Sequence, residues 1–102
     1  MAYEIVLPHD TQSDIDEFVE TEYSGEIDQL EAAKYIEREM SFLAANPMLG
    51  TSPPGGPFES RRIYQFLVPL SLTGRTRAEF AYAVLEQDGL IVIAGFHPLP
   101  LP

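Results

Sequence analysis

The sequence predicts an α+β domain: a helical hairpin packed on one face of a small, largely antiparallel sheet, in the order β-α-α-β-β-β. Three observations lead there. Apolar residues recur at helical spacing between Ile15 and Leu43; Asn46-Pro47 and the run Gly50 to Pro57 then break the chain; and beyond them β-branched and aromatic runs are divided by Asp88-Gly89. A block of helix followed by a block of strands is the pattern of segregated layers rather than of alternating βαβ units. At 102 residues the chain has room for one modest core, expected over residues 1–97 as a single domain. Pro98, Pro100 and Pro102 are expected to forbid further regular structure, leaving 98–102 as an extended tail.

Tyr3 to Leu7 is a short β-branched and aromatic run stopped by Pro8, which predicts a first strand whose neighbour is left open. Asp10, Thr11 and Ser13 each offer a helix N-cap ahead of Ile15, Phe18, Val19 and Tyr23, which share one helical face. Ser24-Gly25 closes that helix. The second is expected from about Asp28 to Ala45, with Ala33, Ile36, Met40 and Leu43 as its inward stripe, Leu30 before them, and Tyr35 and Phe42 widening it. Asn46-Pro47 stops it, because proline disfavours the α conformation in the preceding residue. Gly50 to Pro57 reads as an irregular loop. Three strands follow: Arg62 to Val68, then Thr76 to Glu86 after a connection at 69–74, and Leu90 to Phe96 after a turn at Gln87-Asp88-Gly89. The last run is almost wholly apolar, which places it inside the sheet or under the helices.

Charge divides the chain more sharply than any motif. Residues 1–46 hold twelve acids against Lys34 and Arg38, whereas 47–102 hold four acids and four arginines, giving the overall −10. With a pI near 4.3 the chain as a whole does not favour free nucleic acid, whose phosphates are met by Lys and Arg. The four arginines, Arg61, Arg62, Arg75 and Arg77, fall within one short stretch and form the candidate site for an anion or a macromolecular target. Each could instead pair with the chain's own carboxylates; Arg77 and Glu79, two apart on a strand, would share one side of the sheet. The chain has no cysteine, and no apolar run approaches the roughly 18–20 residues that span a bilayer, so a cytoplasmic location is expected. No cofactor or metal is expected: Asp10, Asp14, Asp16, Glu17 and Glu20 lack the glycine and terminal glutamate of a calcium loop and read as a solvated helix face. His97 could shuttle a proton near neutral pH, although beside Pro98 it reads first as a surface residue. Tyr35, Met40, Phe42 and Met48 are the candidate apolar groove for a protein partner, core packing being the plainer reading of the same residues.

From Tyr3 to His97 the chain resembles the RelE/ParE superfamily of toxins from bacterial type II toxin–antitoxin systems, also known as plasmid stabilisation proteins. The resemblance lies in the opening strand Tyr-Glu-Ile-Val-Leu, the paired helices, and the closing run Leu43-Ala-Ala-Asn-Pro47-Met-Leu-Gly50. It continues through Arg61-Arg62 at the next strand, then Phe80-Ala-Tyr82-Ala-Val84-Leu85 leading into Leu90-Ile-Val-Ile-Ala-Gly-Phe-His97. It implies a toxin held inactive by a cognate antitoxin that fills the apolar groove. RelE-like members of the family cleave messenger RNA on the ribosome, whereas ParE-like members poison DNA gyrase. The chain departs from the nuclease pattern by Glu79 ahead of Tyr82, by Pro98 after His97, and by Leu-Pro-Leu-Pro in place of a basic, tyrosine-bearing tail. A ParE-like protein that acts by binding is therefore the leading expectation. The alternatives are a ribosome-dependent endoribonuclease using Arg61, Arg62, Arg77 and His97, and a non-toxic interaction module derived from a toxin.

Overall fold

The computed structural model describes residues 3–51, 61–70 and 74–99. Six elements follow in the predicted order: β1 (Glu4–Val6), α1 (His9–Glu22), α2 (Glu26–Ala45), β2 (Arg61–Leu70), β3 (Gly74–Leu85) and β4 (Leu90–Leu99). The four strands form one sheet in the order β1-β4-β3-β2. Both hairpin pairs, β2 with β3 and β3 with β4, are antiparallel, while β1 lies parallel to β4 with Ile5 opposite Ile91. The neighbour of the first strand is thus the last one, the most apolar strand of the chain. Further bonds anchor β1, from the Tyr3 amide to the Ala44 carbonyl and from the Glu4 amide to that of Gly89.

Both helices cover one face of the sheet. Ile15, Phe18, Val19 and Tyr23 of the first helical region are all buried, as their spacing predicts. The helix starts earlier than its capping residues suggest: Pro8 is the N-cap with no side-chain cap bond, and Pro8's carbonyl accepts from the Gln12 amide. Thr11 caps nothing. It is buried, and its hydroxyl donates to the Ile93 carbonyl at 2.8 Å, so a residue read as local punctuation joins α1 to β4. Gly25, at φ +99°, is the N-cap of α2, which starts two residues ahead of Asp28. On α2 the buried stripe is Ala32, Ile36, Met40, Leu43 and Ala44; Ala33 is half-buried, and Leu30 and Phe42 are exposed. Beneath the helices Phe66, Phe80 and Phe96 pack against one another and Phe96 meets Phe18, with Phe66 and Phe80 centroids 4.7 Å apart and Phe18 and Phe96 edge-on at 5.3 Å. Such pairs each add about 0.5–1.5 kcal/mol beyond the area they bury.

Two strand boundaries differ from expectation. β2 and β3 extend into the expected connection, with Pro69 opposite Arg75 and Leu70 opposite Gly74. β4 continues through Pro98, opposite Ala78, to Leu99. Proline is tolerated there because β1 pairs only with Leu90 to Val92, so the far end of β4 has β3 alone as a strand neighbour. Residues 52–57 of the expected loop and 100–102 of the expected tail lie outside the described residues. Among the described residues, no helix is long and apolar enough to cross a membrane.

Candidate functional site

The face of the sheet turned away from the helices owes its chemistry to a bulge in β4. Strict alternation from Ile91 and Ile93 would send residues 95 and 97 towards the helices and Phe96 outward. The register instead shifts between Ala81 and Tyr82: Tyr82 opposes Ile93 and Ala81 opposes Gly95, which leaves Ala94 as the extra residue. Phe96 therefore enters the core, 2% exposed, and His97 turns outward. Gly95 makes room for it: a Cβ at this position would stand 2.9 Å from His97 Cε1.

One row of polar side chains then crosses three strands, since Gln65 opposes Glu79 and Glu79 opposes His97. Gln65 Nε2 donates to Glu79 Oε1 at 3.2 Å, and His97 Nδ1 stands 3.8 Å from Glu79 Oε2. His97 is exposed and Glu79 half-buried. In the next row Arg77 opposes Leu67 on β2 and Leu99 on β4, exposed on the same face as Glu79. Arg77 and Glu79 share that side as expected, and Glu79 makes its contacts across strands, with Gln65 and His97. A histidine backed by a carboxylate, one row from a guanidinium, can hold an anionic group and exchange a proton with it. Glu79 and Gln65 were missed as site residues because only the strand register brings them to His97; Gly95, inside an otherwise apolar run, was the available signal of the bulge.

The four arginines do not form one cluster. Close in sequence, they are divided by the hairpin, Arg61 opposing Ala83 near one end of β3 and Arg75 opposing Pro69 at the other. At about 3.3 Å per residue, Arg61 and Arg77 are held roughly 20 Å apart along the ladder. The side chains of Arg61 and Arg75 lie outside the described residues. Arg62 is committed elsewhere: its Nη1 donates to the Gly50 carbonyl at 2.6 Å and, at 3.4 Å, to that of Met48. Beside it the Tyr82 hydroxyl accepts from the Gly50 amide and donates to the Pro47 carbonyl, both at 2.9 Å. Arg62 and Tyr82, opposite each other on β2 and β3, thus clamp the turn that follows α2. Burial pushes the Tyr82 hydroxyl pKa up, against the opposing pull of the Gly50 amide and Arg62. Burial, and then the 2.7 Å bond to Glu39 Oε2, push that of Tyr64 well above the usual tyrosine range.

Nor do Tyr35, Met40, Phe42 and Met48 line one groove. At about 100° per residue, Met40 stands roughly 140° from Tyr35 and 160° from Phe42 around the helix. Met40 is 6% exposed and belongs to the core, whereas Phe42 is 52% exposed. Tyr35 and Arg38 border a cleft of about 190 Å³ between α2 and Val68 of β2, lined also by Asp28 and Glu31 of the same helix. Met48 and Arg62 border an open cavity of about 570 Å³ at the end of the sheet, with Glu86 and Asp88 of the β3–β4 turn. Among the described residues, no three or more of His, Asp and Glu converge as metal ligands would.

No protein-family model and no curated protein matches the chain. A solved structure of the Escherichia coli toxin RelE, a double arginine-to-alanine mutant in the free state, is similar with a TM-score of 0.59, covering 95% of this chain and 83% of that one. At 11% sequence identity the likeness is one of fold, and the chain has the RelE-like α+β architecture.

Proposed function

We propose that this chain is the toxin component of a type II toxin–antitoxin pair, or is derived from one. In this reading it acts in the cytoplasm by binding a macromolecular target such as DNA gyrase, and a cognate antitoxin neutralises it. The observation that carries the reading is the RelE-like fold, shared over nearly the whole chain with a protein that is a toxin. Binding is favoured over cleavage because Arg62 is spent on the Gly50 turn and the backbone positions of Arg61 and Arg77 are divided along the hairpin, so the four arginine positions do not share one place on the sheet from which to meet a phosphate. Inducible expression in a bacterial host, with and without the neighbouring reading frame, tests this. Growth arrest relieved by the neighbour is the expected result. No growth defect in either case would leave a non-toxic interaction module as the surviving description.

One observation favours a second reading. The row Gln65, Glu79 and His97, with Arg77 beside it, offers a proton donor and a cation on an open face, as a ribosome-dependent endoribonuclease requires. Purified protein added to ribosomes programmed with message would then produce new cleavage ends that are lost in His97→Ala.

A further inference from the structure

Between α1 and α2 lies a groove of about 300 Å³ that the core does not fill. Ile5, Leu7 and Ala33, each half-buried, form its open wall, and Ile15, Ile36 and Met40 lie beneath them. Its rim is polar: Gln12 and Asp16 from α1, Glu37 and Ser41 from α2. Both charged lining residues are acids. α1 carries six acids and no Lys or Arg; of the two basic residues of α2, Arg38 lines the separate cleft towards β2, and Lys34, exposed about one turn before Glu37, is outside the groove lining. At physiological ionic strength charges act over about 8 Å, so the local field is that of the rim acids Asp16 and Glu37, offset in part by Lys34 on the preceding turn of α2.

We propose that this groove seats a basic amphipathic segment of a partner protein, an aliphatic side chain entering against Ile5, Leu7 and Ala33 while flanking lysines or arginines meet Asp16 and Glu37. The inference rests on the toxin–antitoxin reading and specifies the chemistry of the antitoxin segment. The apolar floor selects an aliphatic side chain over a free metal ion or polyamine. The anionic rim selects a cationic flank over an acidic one, because like charges brought together at an interface oppose binding. Of the candidate groove residues, Met40 is the one that belongs here; Ala33, expected in the inward stripe, is instead available at the surface.

The probe is a short Leu/Lys peptide patterned as an amphipathic helix, with its Leu/Glu counterpart as control, followed by fluorescence anisotropy and by methyl NMR spectra of the protein. The Lys peptide is expected to bind and to shift the methyls of Ile5, Leu7 and Ile36, while the Glu peptide does not bind. Asp16→Lys with Glu37→Lys weakens binding by about tenfold or more, whereas Glu31→Lys, in the other cleft, changes it by less than about twofold. Ala33→Phe, which fills the groove without altering charge, also weakens it while circular dichroism stays native. Equal losses in Glu31→Lys and the rim variant, methyl shifts confined to other surfaces, or dimerisation of the chain through the groove would each overturn the proposal. If the peptide fails while the neighbouring gene product still binds and relieves growth arrest, the groove assignment is wrong and the toxin reading stands.

Discussion

Tyr82→Phe removes a single oxygen and tests the clamp that fixes the end of α2 to the sheet. Tyr82 is 1% exposed, and its hydroxyl serves two backbone groups, accepting from the Gly50 amide and donating to the Pro47 carbonyl. Phenylalanine keeps the ring packing and leaves the Gly50 amide without its partner. A buried donor left unsatisfied costs about 1–3 kcal/mol, so a loss near 2 kcal/mol is expected. Arg62 still holds the Gly50 carbonyl, so the turn keeps its place and the loss stays within that range. For a domain of this size about 1 kcal/mol moves the melting temperature by roughly 4–8 °C, which predicts a fall of about 8–16 °C. Urea unfolding should show a lower midpoint with an unchanged m-value, since the surface exposed on unfolding is the same. A change below about 0.5 kcal/mol would mean that water replaces the hydroxyl freely and that the clamp does not hold the turn.

Gly50→Ala strikes the same place from the other side: the added methyl would lie 2.5 Å from the Tyr82 hydroxyl oxygen and 2.7 Å from the Ile63 carbonyl oxygen. Because a backbone atom is one of the two obstacles, a destabilisation at or above the top of the about 1–3 kcal/mol range for overpacking is expected from calorimetry. Gly95→Ala crowds the His97 ring and meets the Ala81 Cβ at an ordinary 3.7 Å, so its stability cost should stay below about 1 kcal/mol while the His97 ring resonances move in NMR spectra. Burial raises the pKa values of Tyr23, Tyr64 and Tyr82. Because their folded-state values lie above the unfolded value of about 10, the stability they confer is complete below that pH and is lost as pH rises beyond it. Spectrophotometric titration should therefore show tyrosinate appearing together with loss of near-ultraviolet circular dichroism, and Tyr64→Phe should move that transition to higher pH.

The layers were legible because periodicity reports burial directly: Ile15, Phe18, Val19 and Tyr23 repeat at helical spacing and all four are buried. Boundaries were less so. Asp10, Thr11 and Ser13 have N-cap chemistry, yet the helix begins at His9, and Thr11 finds a tertiary acceptor in Ile93 that no local pattern contains. The candidate site suffered most. Arg61 and Arg77 look adjacent on paper, and only the hairpin register reveals that a strand's length separates them. The pairing of His97 with Glu79 depends on one extra residue in β4, and a continuous apolar run conceals where a strand changes face.

Sequencing of messenger RNA 5′ ends on ribosomes, in cells arrested by induced expression of this chain, tests the central claim most directly. A binding toxin predicts growth arrest with no new ends inside reading frames. New ends that disappear when His97→Ala is expressed to the same folded level would contradict it and place the chemistry on the open face of the sheet.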